Sequence, residues 1–172
     1  MDDTQDWLPD LIDFNKFGNW GVYLEVIYDQ FQSDFVHSRP SWPGKRFSLK
    51  RHPEYDGKSA TFWHMISEGR IEDERTPDLR RCERIAWLRP IIDRFPGQRP
   101  AEGGTIVWWV NSRRGEQRIL MTLRDFSYVV VMADRGDYIM PWTAYPVEYS
   151  HRQRKLEREC EAYWKTQDPE KS

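Results

Sequence analysis

One histidine of this sequence is followed by a concentration of arginines. His64 lies in the segment 62–70, and six arginines follow it within 25 positions, at 70, 75, 80, 81, 84 and 89. An imidazole exchanges protons near neutral pH, and guanidinium groups stabilise the charge of a pentavalent phosphate. The combination indicates metal-free cleavage of RNA, whose 2'-hydroxyl is an internal nucleophile that DNA lacks. A hydrogen-bonded core histidine beside a solvated arginine face is the structural alternative.

Three of these arginines are predicted to share one helix face. Thr76 as N-cap and Pro77 in the first turn predict a helix start, and Pro90 is expected to kink or end that helix near Leu88. Spacings of three and four residues then bring the same side chains to one face. These side chains are Arg80, Arg81 and Arg84. Three guanidinium groups on one face could bind a phosphate through paired hydrogen bonds to its oxygens.

A second cluster of polar side chains occupies the last predicted strand. Alternation along a strand places Thr143 and Tyr145 on one side and Trp142 on the other. A hydroxyl and a phenol can both hydrogen-bond a phosphate, and the tyrosine ring can also stack on a base. The same pattern would also arise if the threonine and the tyrosine were present only because both residue types favour strands.

The elements that must position these residues predict an α+β fold. Apolar residues from Trp20 to Phe35 recur at helical spacing, and 1–17 is interpreted as a short docking helix. Segments 45–51 and 60–66 are predicted to form a hairpin, with His64 near a strand end. Four further strands (105–111, 118–124, 127–133 and 137–145) with short connections predict an antiparallel meander, and a C-terminal helix follows at 150–166.

Composition limits the class of protein. Apolar residues make up 38% of the 172 residues and aromatic residues 15%, with nine Trp, so we expect one folded domain. No apolar run approaches a membrane span, and residues 1–6 lack a signal-peptide pattern, so the expected location is the cytoplasm. Phosphate-loop, dinucleotide-binding and zinc-protease motifs are absent, and Cys82 and Cys160 lie in no metal-binding pattern. We therefore predict no cofactor and no metal.

Charge is distributed unevenly along the chain. Residues 1–38 hold one basic and eight acidic residues, a net charge of −7, whereas residues 39–99 hold fourteen basic and nine acidic ones, a net charge of +5. The basic middle permits an anion-binding surface in spite of a pI of about 6.1. We hypothesise that the acidic segment covers this surface until RNA or a partner competes.

The motifs together resemble a known nuclease superfamily. They are His64-x-Ile, then Arg75-x-Pro-Asp-Leu-x-Arg-Cys-x-Arg-Ile-x-Trp, a meander, and a closing Thr143-Ala-Tyr. This order resembles the phage-associated nuclease-like domains of the barnase, EndoU, colicin and RelE-like (BECR) superfamily. The similarity runs through 63–92 and 106–147, within a BECR-like core at 45–148.

The resemblance implies N-terminal helices on an antiparallel sheet of about four strands and metal-independent RNA cleavage in toxin or phage-conflict systems. It implies a site made of a histidine, basic residues and a hydroxyl of the last strand. Here the catalytic set would be His64, Arg81, Arg84, Thr143 and Tyr145. The substrate-binding set would be Lys45, Lys50, Arg70, Arg75 and Arg80. EndoU-like members use two histidines and a lysine, whereas His37, His52 and His151 match no motif here.

Two functions remain open from the sequence. The first is an endoribonuclease that forms 2',3'-cyclic phosphate ends, with an antitoxin or immunity protein as a possible partner. The second is a catalytically inactive member that binds RNA or protein through its arginines and aromatic residues, since such residues often anchor interfaces. The oligomeric state stays open. An open cleft that brings the five catalytic candidates together would favour the enzyme, and a histidine buried against aromatic rings with no access to solvent would favour the binding protein.

Overall fold

A mostly antiparallel five-stranded sheet forms the centre of the computed structural model, which describes residues 6–69 and 74–167. Its strands are β1 (Arg46–Phe47), β4 (Ile106–Arg113), β5 (Glu116–Leu123), β6 (Tyr128–Asp134) and β7 (Tyr138–Pro146), and β2 (Ser67–Glu68) and β3 (Thr76–Pro77) form a separate pair. The strand order is β1-β7-β6-β5-β4, in which only β1 runs parallel to its neighbour, β7. The predicted meander is confirmed, because each long strand pairs with the next through a short turn.

Helices cover both faces of this sheet, which confirms the α+β class. They are α1 (Trp20–Phe35), α2 (Ala60–Ile66), α3 (Leu79–Cys82), α4 (Leu88–Asp93) and α5 (Ser150–Thr166). Trp108 packs in the cluster that holds α1, α2 and α4, whereas Trp109 packs in the cluster beneath α5. Neighbouring residues of one strand therefore serve opposite cores, as the two-residue period of a strand requires.

The predicted hairpin of 45–51 and 60–66 is wrong. Residues 60–66 form α2, because Ser59 caps the helix by accepting from the Phe62 N–H. Phe62, Met65 and Ile66 lie three and four positions apart and are all buried, which is the period of a helix. The segment 45–51 retains only the two residues of β1, which pair with β7 instead. His64 consequently lies in the last turn of a helix and not at a strand end.

The helix predicted from Thr76 is also wrong in its start and its length. Thr76–Pro77 is a short strand, β3, which pairs with β2 (Ser67–Glu68), and Asp78 is the residue that caps α3. The helical stretch is divided into α3, a 3₁₀ turn at Ile85–Trp87 and α4. Pro90 lies in the first turn of α4, where its missing N–H leaves no hydrogen bond unmade.

The described part of the acidic N-terminal segment is built into the core. It contains α1, but residues 6–17, the described part of the predicted docking helix, form one 3₁₀ turn, Phe14–Lys16, and no longer helix. The Ile12 N–H donates to the Glu83 carbonyl at 2.9 Å, and the Trp87 indole donates to the Pro9 carbonyl at 2.8 Å. The buried Tyr23 hydroxyl donates to the Ile12 carbonyl at 2.7 Å. Among the described residues, no helix has the length and apolar character needed to cross a membrane.

Candidate functional site

His64 lies at the junction between α2 and the last strand of the sheet. The residue is only 6% exposed, and its ring centre is 4.9 Å from the Trp142 indole at an angle of 42°. The His64 carbonyl oxygen lies 3.4 Å from both the Thr143 hydroxyl and an Arg75 guanidinium nitrogen, which donate to it. The last strand thus fixes the backbone that carries the imidazole.

Arg81 joins the same junction from α3. Its Nη1 donates to the Ser67 carbonyl at 2.7 Å and to the Thr143 hydroxyl at 3.3 Å. Its guanidinium carbon lies 5.6 Å from the centre of the Tyr145 ring. Burial raises the pKa of the Tyr145 phenol, and the nearby positive charge of Arg81 offsets part of that rise. Four of the five predicted catalytic residues are therefore neighbours, although much of the hydrogen bonding serves the protein itself.

A groove of about 600 Å³ opens beside this junction. Its lining combines groups that suit a nucleotide: His64 and Arg75 lie with the aromatic side chains of Trp20, Tyr55 and Trp63. Tyr55 is 73% exposed and meets Trp63 edge to face at 5.6 Å between ring centres. The Trp63 indole donates to the Tyr55 carbonyl at 2.8 Å, which fixes the pair.

Two carboxylates reduce the positive charge of the groove. Glu54 and Asp56 contribute to the same lining. Asp56 lies 3.9 Å from the ammonium group of Lys58, which also pairs with Glu25 at 2.7 Å. The groove therefore holds both signs of charge, and its most favourable position for a phosphate is on the side of Arg75 and His64.

Arg80 and Arg84 do not join the site, so the predicted three-arginine face is wrong. Because α3 ends at Cys82, Arg84 lies beyond the helix that carries Arg81. Arg84 pairs with Glu83 at 2.6 Å and lies over the Trp87 ring, and Arg80 pairs with Glu148. Arg70 lies outside the described residues.

The two predicted lysines have different surroundings. Lys45 pairs with Asp134. Burial alone would raise the pKa of the Asp134 carboxyl, but hydrogen bonds from Lys45 and the Gly136 N–H outweigh it and lower that pKa. The Lys50 ammonium instead lies 6.0 Å from the centre of the Trp142 ring, next to the junction that holds His64.

Trp142 packs beside His64, and the prediction that it lies on the side of the strand opposite Tyr145 is wrong. Val131 pairs with Thr143 but Met132 pairs with Pro141, so Trp142 is the extra residue of a β-bulge. Trp142 and Tyr145 consequently pack against the same apolar cluster, although alternation predicts opposite sides. The local signal that could have indicated the bulge is Pro141, since a proline inside a strand marks an edge or a bulge.

The aromatic residues of the groove were not predicted as site residues either. Trp20 and Tyr55 come from α1 and a loop that only the folded chain brings to Trp63. Within residues 6–69 and 74–167, no three His, Cys, Asp or Glu side chains are grouped as metal ligands would be. Comparison with family models, with curated proteins and with solved structures found no match in any of the three.

Proposed function

We propose that the protein is a metal-independent endoribonuclease that cleaves single-stranded RNA by attack of the 2'-hydroxyl. The observation that carries the proposal is the groove in which His64 and Arg75 lie beside three aromatic side chains. The chemistry needs a proton acceptor, a fixed positive charge and surfaces that hold bases, and the groove supplies all three.

His64 is the proton acceptor of the proposed reaction. Its imidazole takes the proton of the 2'-hydroxyl, and the 2'-oxygen forms a bond to phosphorus. Arg75 stabilises the negative charge of the pentavalent phosphate. The bond from phosphorus to the 5'-oxygen then breaks, that oxygen takes a proton from water, and the His64 imidazolium gives its proton to the resulting hydroxide, which restores the neutral imidazole. The products are a 2',3'-cyclic phosphate and a 5'-hydroxyl end.

Thr143 and Arg81 act as positioning residues in this scheme. The Thr143 hydroxyl donates to the His64 carbonyl, and Arg81 donates to that hydroxyl. These contacts set where the imidazole stands relative to the groove, because the end of α2 cannot shift without breaking them. Loss of either residue is therefore expected to reduce kcat more than RNA affinity.

The aromatic residues select an unpaired strand. Base stacking on an aromatic side chain is worth about 1–3 kcal/mol per base and requires bases that are not stacked in a duplex. Tyr55 offers the most exposed ring, and Trp20 and Trp63 line the same groove. We expect duplex RNA to be a poor substrate.

The test is incubation with mixed RNA in EDTA, followed by analysis of the 3' ends. The wild-type protein is expected to give cyclic phosphate ends, the His64→Gln variant none, and the matched variant of exposed His37, His37→Gln, the wild-type pattern. Melting curves of each variant check that the fold is kept. Cleavage by His64→Gln at the wild-type rate, or cleavage of an all-deoxy oligonucleotide, would overturn the proposal.

One observation favours RNA binding without cleavage as a second candidate function. His64 is 6% exposed, and Arg75 and Arg81 both donate to the Ser67 carbonyl at 2.7 Å, which ties these groups to the protein. In the same assay, folded wild-type protein that binds single-stranded RNA but leaves it intact would support this candidate.

The enzyme proposal also implies a biological setting. An RNase of the toxin or phage-conflict type acts on cytoplasmic RNA, and the cell that makes it needs an antitoxin or immunity protein. Expression of the wild-type chain is then expected to arrest growth, whereas His64→Gln is tolerated. Equal growth with both chains would count against a toxin.

A further inference from the structure

Trp142 is surrounded by positive charge. Its half-buried indole stands at the bulge of β7, beside the His64 ring at 4.9 Å. Three cations lie around the ring centre: Arg118 at 5.4 Å, Arg135 at 5.8 Å and Lys50 at 6.0 Å. They come from β5, from the turn after β6 and from the segment before α2, so only the folded chain assembles them.

The carboxylates near these cations leave a positive excess. Glu116 pairs with both Arg118, at 3.4 Å, and Arg135, at 3.1 Å. Lys50 takes part in none of the ion pairs found within residues 6–69 and 74–167. Glu116 is therefore shared by two of the three cations, and the Arg135 side chain is 39% exposed and open to a ligand.

We infer that Lys50, Arg118 and Arg135 form a second phosphate subsite around Trp142, which holds the RNA strand beside the cleaved bond. The inference rests on the proposed function. Guanidinium and ammonium groups bind phosphate oxygens, and an indole among them offers a stacking surface for the attached base. The His64 ring in contact with the same indole places this subsite next to the proposed catalytic group.

A single strand of RNA satisfies this arrangement better than an isolated anion does. A strand carries a phosphate at each nucleotide and a base beside it, so one nucleotide can meet both the cations and the indole. Neutralising a phosphate releases counterions, which makes each contact visible as salt dependence.

The experiment measures binding of a labelled 2'-O-methyl oligonucleotide by fluorescence anisotropy. This ligand has no free 2'-hydroxyl, so binding is observed without cleavage. Lys50→Gln and the double variant Arg118→Gln/Arg135→Gln are compared with Lys155→Gln, which removes an exposed charge on α5. Melting curves confirm that each variant is folded.

The logarithm of the association constant falls as the logarithm of the salt concentration rises. Removal of one phosphate contact is expected to make this fall less steep by about 0.7 for a single strand. That change corresponds to an affinity about fivefold weaker at 0.1 M salt than with the contact. We expect a loss of this size for Lys50→Gln, a larger one for the double variant and none for Lys155→Gln.

The outcomes separate this inference from the proposed function. RNA cleavage by the wild type, with affinity and salt slope unchanged in both variants, refutes the subsite and leaves the enzyme standing. Binding that weakens in both variants, without cleavage of ordinary RNA, supports the subsite and refutes the enzyme. Neither binding nor cleavage by folded protein refutes both.

Discussion

The Ser67 carbonyl group provides a quantitative test of the junction between α2, α3 and β7. The Asp78 N–H donates to the Ile66 carbonyl, so the next carbonyl along β2 points away from β3, as alternation in an antiparallel ladder requires. Arg75 and Arg81 both donate to this outward carbonyl at 2.7 Å. Substitution of both arginines by methionine is therefore expected to destabilise the protein by more than the sum of the two single substitutions.

The magnitude follows from what each variant leaves unpaired. A hydrogen bond to a charged group contributes about 1.5–3 kcal/mol, which is the expected cost of Arg81→Met or Arg75→Met alone. After one substitution the Ser67 carbonyl still accepts from the other arginine. After both substitutions the buried Ser67 carbonyl has lost both arginine donors, which lowers the free energy of unfolding by a further amount of about 1–3 kcal/mol. That additional cost is the coupling energy of the pair.

Urea unfolding followed by circular dichroism measures the four proteins of this cycle. Arg80→Met is the control, because the Arg80 side chain is 58% exposed and its surface pair with Glu148 contributes at most about 1 kcal/mol. The reasoning is refuted if the double variant is additive within about 0.5 kcal/mol, or if either single variant is as mild as the control. A stability loss that leaves RNA affinity intact would show that Arg81 acts through the fold.

Two further predictions concern buried groups. Burial raises the pKa of the Cys82 thiol to about 12 and of Cys160 to about 11, so both stay protonated near neutrality and resist thiol reagents until the chain unfolds. Since unfolded thiols ionise near pH 8.5, the free energy of unfolding is expected to fall above that pH by about 1.4 kcal/mol per pH unit and thiol, which urea unfolding measures, and a flat profile would contradict this. Deletion of residues 1–17 removes the partners of Tyr23 and Trp87, and three lost hydrogen bonds of about 1 kcal/mol lower Tm by about 6–12 °C. A truncated chain that melts at the wild-type temperature and binds RNA more tightly would instead support masking by the acidic segment.

The sheet and the two long helices were predictable because their signals are local. β4 to β7 alternate between two apolar faces and are joined by short turns, so neighbours in sequence are neighbours in space. α1 and α5 likewise carry their apolar residues at helical spacing. In each case a pattern within one segment decides the outcome.

α2 was predicted wrongly because composition and spacing disagree over a short segment. Residues 60–66 are rich in good strand formers, but Ser59 caps a helix and the apolar residues fall on one helical face. In seven residues the two patterns cannot be separated by periodicity alone, and packing against the core decides. The helix that follows begins after Asp78 and not after Thr76, because Thr76 and Pro77 pair with β2.

Tertiary contacts explain why the site was only partly predictable. His64, Thr143 and Arg81 were expected to share a site, and they do meet, across sequence separations of 79 and 62 residues. Arg84 and Arg80 were expected there on the assumption of one continuous helix, which the structure does not form. Pro141 indicates the bulge at Trp142, but the cations around that ring come from separate segments, which single-sequence patterns do not bring together.

The position of His64 connects the aromatic groove and the proposed phosphate subsite around Trp142 to the pairing of strands in the sheet. Its carbonyl is held by Thr143 of β7, its ring contacts Trp142 of the same strand, and the aromatic groove opens beside it. The bulge that sets Trp142 lies in the β6–β7 pair, and the hydroxyl that holds His64 is on β7, so both contacts depend on the pairing of these two strands. A chain in which β6 and β7 are not paired would therefore hold neither the proposed proton acceptor nor the proposed phosphate subsite in place. The same contacts fix the almost fully buried imidazole at the boundary between the core and the groove, which is the position that the proposed reaction requires.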